Sequence, residues 1–217
     1  MNTYLFDFDG TLVDSMSAYA NAVLRLLDEN NVSYPGDIIK TITPLGLNGM
    51  AEYLIGLGLP LSRDELFLKA KEYMMGEYLL NVTAKNNVVP TLKALKSHGV
   101  RLNILTAGPH VTLDACLKRL EICDLFENIW SSDDFGTTKA DPDIYRKAAA
   151  ALGVKVSEVL FFDDNIKACQ TAKTAGMAVC GVYDETSQEY KEQMKAVTDF
   201  YIYDFSEVLS LKFCPGN

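Results

Sequence analysis

Asp7 and Asp9 stand one residue apart in the run Asp7-Phe8-Asp9-Gly10-Thr11-Leu12-Val13-Asp14-Ser15, directly after the apolar stretch Tyr4-Leu5-Phe6. The apolar stretch reads as a short buried strand, so both carboxylates fall at its end. Like charges held in a small volume repel, and one pKa tends to rise. Such a pair suits a site that needs a carboxylate nucleophile, a neighbouring carboxyl acid and a ligand for a hard cation at one point. Taken alone, Asp9-Gly10 also reads as a plain turn. A hairpin turn would lead at once into a second alternating strand. The segment after Asp14 is helical instead, with Tyr19, Val23, Leu26 and Leu27 spaced as one apolar helix stripe.

Three further segments carry related chemistry. Thr106-Ala107-Gly108 follows an apolar strand over 100–105. Lys139 stands after a strand over 128–131 and just before a helix opened by Asp141-Pro142. Asp163-Asp164-Asn165 follows the continuous apolar strand 159–162. Singly, these read as a turn hydroxyl, a solvated lysine and acids at a helix start. Together, each beyond a strand, they offer what phosphoryl transfer needs: carboxylates for a cation, a hydroxyl and open backbone for phosphate oxygens, and one ammonium. Ligands of open parallel sheets bind beyond the carboxyl ends of the strands.

The elements that must position these residues come from pattern and punctuation. From residue 88 onward, strands alternate with helices. One helix has Pro90 in its first turn and stops at Gly99; others run from His110 through Leu120, from Pro142 to Gly153, and up to Gly176. Further strands are expected over 177–183 and 200–203. Apolar, non-alternating strands in βα units imply a parallel sheet covered on both faces. Between residues 15 and 80 no strand pattern is visible. Asp14 or Ser15 is expected to cap the first helix, Pro44 to end a short piece over 37–42, and Asn48 to open a helix through Leu54. Ser62-Arg63-Asp64-Glu65 is a capping box opening a long helix with Leu66, Ala70, Tyr73 and Met74 on one face. The expected fold class is α/β: a doubly wound, Rossmann-like parallel sheet core, residues 1–14 and 81–217, with an all-helical domain, residues 15–80, inserted after the first strand.

The chain has 217 residues, a formal net charge of −9, 48% hydrophobic and 23% charged residues. That composition is ordinary for a soluble globular protein. No basic cluster stands out, which argues against nucleic acid or an anionic membrane as partner. The five cysteines form no C-x-x-C pair and read as reduced thiols. Asp7 falls where a signal peptide would need its apolar stretch, and no run approaches 18 apolar residues, so a cytoplasmic location is expected.

The four segments, in their order, resemble the four motifs of the haloacid dehalogenase-like hydrolase superfamily. The resemblance spans the full chain, with the helical insertion where that family carries a small cap, and it is to the phosphatase-type group that includes phosphoglycolate phosphatases and β-phosphoglucomutases. It implies that Asp7 is the nucleophile and Asp9 the general acid, later base. Thr106 would hydrogen-bond the transferring phosphoryl group, with backbone N–H groups of Ala107 and Gly108 free to join it, and Lys139 would neutralise its charge. Mg²⁺ would be held by the Asp7 carboxylate, the Asp9 backbone carbonyl and Asp164, with Asp163 beside it. The implied activity is Mg²⁺-dependent hydrolysis of a small phosphorylated metabolite, a phosphomonoester, through an aspartyl-phosphate, by a monomer or weak homodimer. Two positions depart from the common pattern: Ala140 follows Lys139 where proline is frequent, and Ala107-Gly108 follows Thr106 where asparagine is frequent.

Other activities fit the residues less well. Dehalogenases of this family lack the second aspartate, and Asp9 is present. Mutases of the β-phosphoglucomutase type place a histidine where this chain has Tyr19 and a cap arginine near Gly49. A phospho-accepting receiver domain is about half this length and has no insertion after its first strand. An inactive binding protein would usually have lost one of Asp7, Asp9, Lys139 or Asp164. The cap residues expected to face the substrate are Tyr19, Leu47, Asn48 and Met50.

Overall fold

The apolar run before Asp7 forms strand β1 (Thr3–Phe6), buried along its whole length, in a computed structural model that describes residues 2–214 apart from the side chain of Pro44. In chain order there follow β2 (Val13–Asp14), α1 (Met16–Glu29), α2 (Ile38–Ile42), α3 (Gly46–Gly56), α4 (Arg63–Leu80), β3 (Thr83–Ala84) and α5 (Val88–Ser97). Then come β4 (Arg101–Thr106), α6 (His110–Arg119), β5 (Asn128–Ser131), α7 (Pro142–Leu152), β6 (Val159–Asp163), α8 (Ile166–Ala175), β7 (Ala178–Val182), α9 (Lys191–Val197) and β8 (Phe200–Ile202).

Six strands form one sheet in the order β5-β4-β1-β6-β7-β8, every neighbouring pair parallel. The chain builds outward from β1 on one side, then crosses over to build outward on the other. That is the α/β doubly wound arrangement, and its strand order reverses where β1 meets β6. Both faces are covered, as apolar strands require. On one face Leu5, Leu105 and Phe161 pack with Ile144, Tyr145 and Ala172. On the other, Phe6 stacks on Phe162 with ring centres 4.6 Å apart, and both meet Phe205.

The described chain divides into two compact units, one of Met1–Asp14 with Thr83–Asn217 and one of Ser15–Val82. The second unit is helical. Its core is Val23 and Leu27 of α1, Ile38 and Ile42 of α2, Met50, Ala51 and Leu54 of α3, and Leu66 of α4. Ser62 and Glu65 form the expected capping box at the start of α4, each side chain bonded to the other's backbone N–H. The Tyr73 hydroxyl donates to Glu29 of α1, and the Arg25 guanidinium lies 4.2 Å from the Tyr73 ring centre.

Several local expectations are corrected. Ser15 occupies the N-cap of α1, but it makes no side-chain cap bond, because its backbone is already in the helical region (φ −97°, ψ −5°). The chain does not stop at Pro44: it passes through a 3-10 turn, Thr43–Leu45, straight into α3, which begins at Gly46, ahead of Asn48. The two crossings between the units pair antiparallel as β2 and β3, a two-residue ribbon that no sequence pattern announces. All five cysteines are free thiols, three of them buried. No described helix is long and apolar enough to cross a membrane.

Candidate active site

Register brings the acids together. Phe6 pairs with Phe162 across β1 and β6, and the Asp7 N–H donates to the Phe162 carbonyl at 2.8 Å. Asp7 and Asp163 therefore continue two adjacent parallel strands at the point where the strand order reverses. On the other side of β1, Phe6 pairs with Ile104 of β4, so Thr106 ends the neighbouring strand. Asp7, Thr106 and Asp163 are all buried.

Lys139 reaches this point from the loop before α7. Its ammonium donates to Asp7 and, at 2.8 Å, to Asp163, and its side chain is only 11% exposed. The lysine is held from behind: the Tyr145 hydroxyl donates to the Lys139 carbonyl at 3.1 Å. Asp141 caps α7 by accepting from the Asp143 N–H, with Pro142 in the first turn, and so fixes where the loop enters the helix. Asn165 caps α8 in the same way, accepting from the Lys167 and Ala168 N–H groups, which sets the direction in which the chain leaves Asp163-Asp164.

The loop from Asp7 to Val13 is tight. The Leu12 and Val13 N–H groups both donate to the Phe8 carbonyl, and the Gly10 N–H donates to the Val13 carbonyl. Gly10 has φ +74°, and a Cβ there would lie 2.6–2.8 Å from the three carboxyl atoms of Asp164. Only glycine allows both the left-handed backbone and that approach. Fully buried Thr11 donates its hydroxyl to Asp164 at 3.3 Å. Beside β4, a Cβ on Gly108 would stand 3.2 Å from Asp9 Oδ2 and 3.4 Å from the Thr106 hydroxyl, so the Asp9 carboxyl lies against the loop after β4.

Oxygens of Asp7, Asp163 and Asp164 all lie within 4.8 Å of one another. Burial raises the Asp7 carboxyl well above its ordinary value. Lys139 opposes the shift, and Asp163, Asp164 and Asp9 add to it. Loss of solvent, with Asp163 and Asp184, pushes Asp164 up to about 7 against the pull of Lys139 and Lys85. Burial by itself would depress the Lys139 ammonium, but Asp163 and Asp7 outweigh it and hold the lysine charged. Three crowded carboxylates that one ammonium does not neutralise make an oxygen-only donor set, which fits a hard divalent cation such as Mg²⁺. The Asp9 carboxylate is not part of this cluster.

One expected feature is corrected. The Gly108 N–H is not free for phosphate: it donates to the Thr106 hydroxyl at 3.0 Å, a short side-chain-to-backbone bond typical of threonine in a turn. Ala107 is exposed beside it. The Gly108 carbonyl accepts from Ser131 at the end of β5, at 2.8 Å. Lys85 and Asp184 join the site without any signal in the sequence. The Lys85 ammonium donates to the Gly10 carbonyl (2.7 Å), the Tyr183 carbonyl (2.7 Å) and Asp184 (3.0 Å).

In the helical unit, Tyr19, Leu47, Asn48 and Met50 line one largely apolar pocket of about 380 Å³. Met50 itself is buried rather than surface-facing and accepts a bond from the Tyr19 hydroxyl at 3.1 Å.

Comparison with known proteins gives a consistent pattern. The family model for haloacid dehalogenase-like hydrolases matches residues 4–182. Glyceraldehyde 3-phosphate phosphatase of Pyrococcus furiosus is 31% identical, over 95% of this chain and 90% of its own length. Validoxylamine A 7'-phosphate phosphatase of Streptomyces hygroscopicus subsp. limoneus is 26% identical, over 94% of each chain. Among solved structures, a candidate beta-phosphoglucomutase from Thermotoga maritima superposes with a TM-score of 0.84 over 97% of each chain at 23% identity, a likeness of fold.

Proposed function

The chain belongs to the haloacid dehalogenase-like hydrolase family as a phosphatase-type enzyme, and on that premise we propose that it hydrolyses a small phosphomonoester through an aspartyl-phosphate on Asp7. The observation that carries this reading is the convergence of Asp7, Lys139, Asp163 and Asp164 where β1 meets β6, with Thr106 and Asp9 on the β4 side. Mg²⁺ is the proposed cofactor. The Asp7 and Asp164 carboxylates and the Asp9 carbonyl, with Asp163 beside them, would hold it, and when bound it would neutralise charge on the phosphoryl oxygens.

The residues divide the work. A carboxylate oxygen of Asp7 attacks phosphorus as the bond to the leaving oxygen breaks, and Asp9 gives that oxygen its proton. Lys139, kept charged by its acidic neighbours, and the Thr106 hydroxyl take up charge on the phosphoryl group. Asp9, now a carboxylate, removes a proton from the water that attacks the aspartyl-phosphate, and free phosphate leaves with Asp7 regenerated. Selection among phosphomonoesters is assigned to the helical unit.

The alternative is phosphoryl transfer to a second sugar hydroxyl, as in a mutase. Two features favour water. The Tyr19 hydroxyl is engaged with Met50, and burial raises its pKa above the ordinary tyrosine value, so it is no neutral-pH proton relay. A Cβ at Gly49 would lie 2.8 Å from the Leu45 Cβ, which leaves little room for a phosphate-gripping side chain there.

A panel of sugar and acid phosphates, assayed for free phosphate with Mg²⁺ and with chelator, tests the reading. Stoichiometric, Mg²⁺-dependent release that is abolished by Asp7→Asn is expected. Full activity in chelator, activity in Asp7→Asn within tenfold of wild type, or interconversion of glucose 1-phosphate and glucose 6-phosphate faster than phosphate release would overturn it.

A further inference from the structure

Lys85 follows β3 directly, where the chain re-enters the α/β unit, and its own N–H donates to the Leu12 carbonyl at 3.0 Å. Its side chain is 22% exposed and that of Asp184 8%. An ammonium has three protons, and three acceptors surround this one: the Gly10 carbonyl, the Tyr183 carbonyl at the end of β7, and Asp184 Oδ2. Asp184 is itself oriented, accepting from the N–H and hydroxyl of Thr186. Lys85 thus clips the turn after Asp9 to a rigid strand end, and nothing in the proposed chemistry uses it.

We propose that Lys85 is a positioning residue for Asp9, holding the Gly10 carbonyl so that the turn presents the Asp9 carboxyl to the leaving-group oxygen. The inference rests on the phosphatase reading of the same site. Gly10 is the peptide immediately after Asp9, and its left-handed backbone is the pivot of the turn. With no side chain, Gly10 is held through its backbone: its N–H donates to the Val13 carbonyl at 3.0 Å, inside the turn, and its carbonyl accepts from Lys85, which ties the turn to β7. Without the ammonium, the Gly10 carbonyl loses a charge-assisted partner, and the turn carrying Asp9 gains freedom while Asp7 stays fixed by its strand. The loss therefore falls on proton donation and not on nucleophilic attack.

That distinction is measurable. p-Nitrophenyl phosphate releases an anion that departs without a proton, whereas phenyl phosphate releases a phenol of pKa about 10 and depends on the general acid. In Lys85→Met, kcat for phenyl phosphate is expected to fall at least tenfold more than kcat for p-nitrophenyl phosphate, with KM for both within about threefold of wild type. Asp184→Asn, which keeps the ammonium and removes one of its three anchors, is expected to shift the same ratio less, and it carries the test if Lys85→Met does not fold. An equal loss on both esters, or none, would show Lys85 to be merely structural. Failure of wild type to release phosphate from either ester would overturn the phosphatase reading instead, so the two failures are distinguishable.

Discussion

Replacing Gly10 by alanine separates a backbone penalty from a site penalty. The first follows from φ +74°, which costs an L-residue about 1–2 kcal/mol. The second follows from crowding: the new Cβ would stand 2.7 Å from Asp164 Cγ, whereas carbon atoms settle at about 3.5 Å or more. Asp164 must then retreat by roughly 0.8 Å, since ordinary contact is about 3.5 Å. That movement breaks its bond from Thr11 and pulls one carboxylate out of the acidic cluster. A misplacement of about 1 Å costs on the order of 10²-fold in rate, about 2.7 kcal/mol in the barrier. Gly153→Ala is the control. Gly153 has φ +71° at the C-terminus of α7, and nothing lies within 4 Å of its virtual Cβ. Urea unfolding in chelator and kcat for p-nitrophenyl phosphate with saturating Mg²⁺ measure the two penalties. Both variants are expected to lose about 1–2 kcal/mol of stability, and only Gly10→Ala to lose about 10²-fold in kcat. Equal kcat in the two variants would refute the argument that closeness to Asp164, and not conformation alone, requires glycine here.

Lys139→Met leaves Asp7 and Asp163 buried without their shared cation, and removing one partner of a buried ionic group costs about 3–5 kcal/mol. Denaturant unfolding in chelator is expected to show that loss, and Mg²⁺ to recover part of it; a change below about 1 kcal/mol would contradict the triad's role. His110 sits between Asp134 (2.8 Å) and Asp114 (3.3 Å), and hydrogen bonds to Asp134, then Asp114, raise its pKa, while the bonds from His110 and Ser131 lower that of Asp134 despite burial. The histidine's contribution is full below its unfolded pKa of about 6.5 and fades as pH rises through the raised folded value; that of Asp134 is present above about 3.9 and fades as pH falls through its lowered one. His110→Ala is therefore expected to cost most between about pH 4 and 6.5, by about 0.2–1 kcal/mol because the pair is largely solvent-exposed; a pH-independent difference in thermal unfolding would refute this.

How far the fold and the site can be read from sequence depends on the range of the forces involved. The strands of the sheet are legible because burial on both faces leaves continuous apolar runs such as Val159-Leu160-Phe161-Phe162. Asp7, Asp163 and Lys139 each have a bland reading alone; they are legible because Asp7 and Asp163 directly follow apolar runs and Lys139 comes between them in the order that the other segments set. The β2–β3 ribbon is not: two residues per strand carry no periodicity, and Thr83 finds Asp14 only through the fold. Lys85 looks like any solvated lysine in sequence, because its acceptors lie 75 to 99 residues away and two of them are backbone carbonyls, which leave no trace there. Met50 reads as substrate-facing with its neighbours Leu47 and Asn48, but it lies on the single buried stripe of α3 with Ala51 and Leu54.

The strand order has a consequence for synthesis. β1 emerges first, yet both of its partners come late: β4 begins at Arg101, and β6 ends at Asp163. At about 5–20 residues per second, roughly 150 residues separate the two central strands by about 8–30 s on the ribosome. Until β4 is made Tyr4-Leu5-Phe6 has neither partner, and its β6 edge stays unpaired for the whole interval, the kind of segment that invites association with other chains. The helical unit has no such wait, since its buried clusters draw on residues between Ala22 and Tyr73. A nascent chain stalled before residue 159 therefore carries a complete helical core beside a sheet that lacks its central pairing. It also lacks Asp163 and Asp164, so the acidic cluster comes into being only with the last third of the polypeptide.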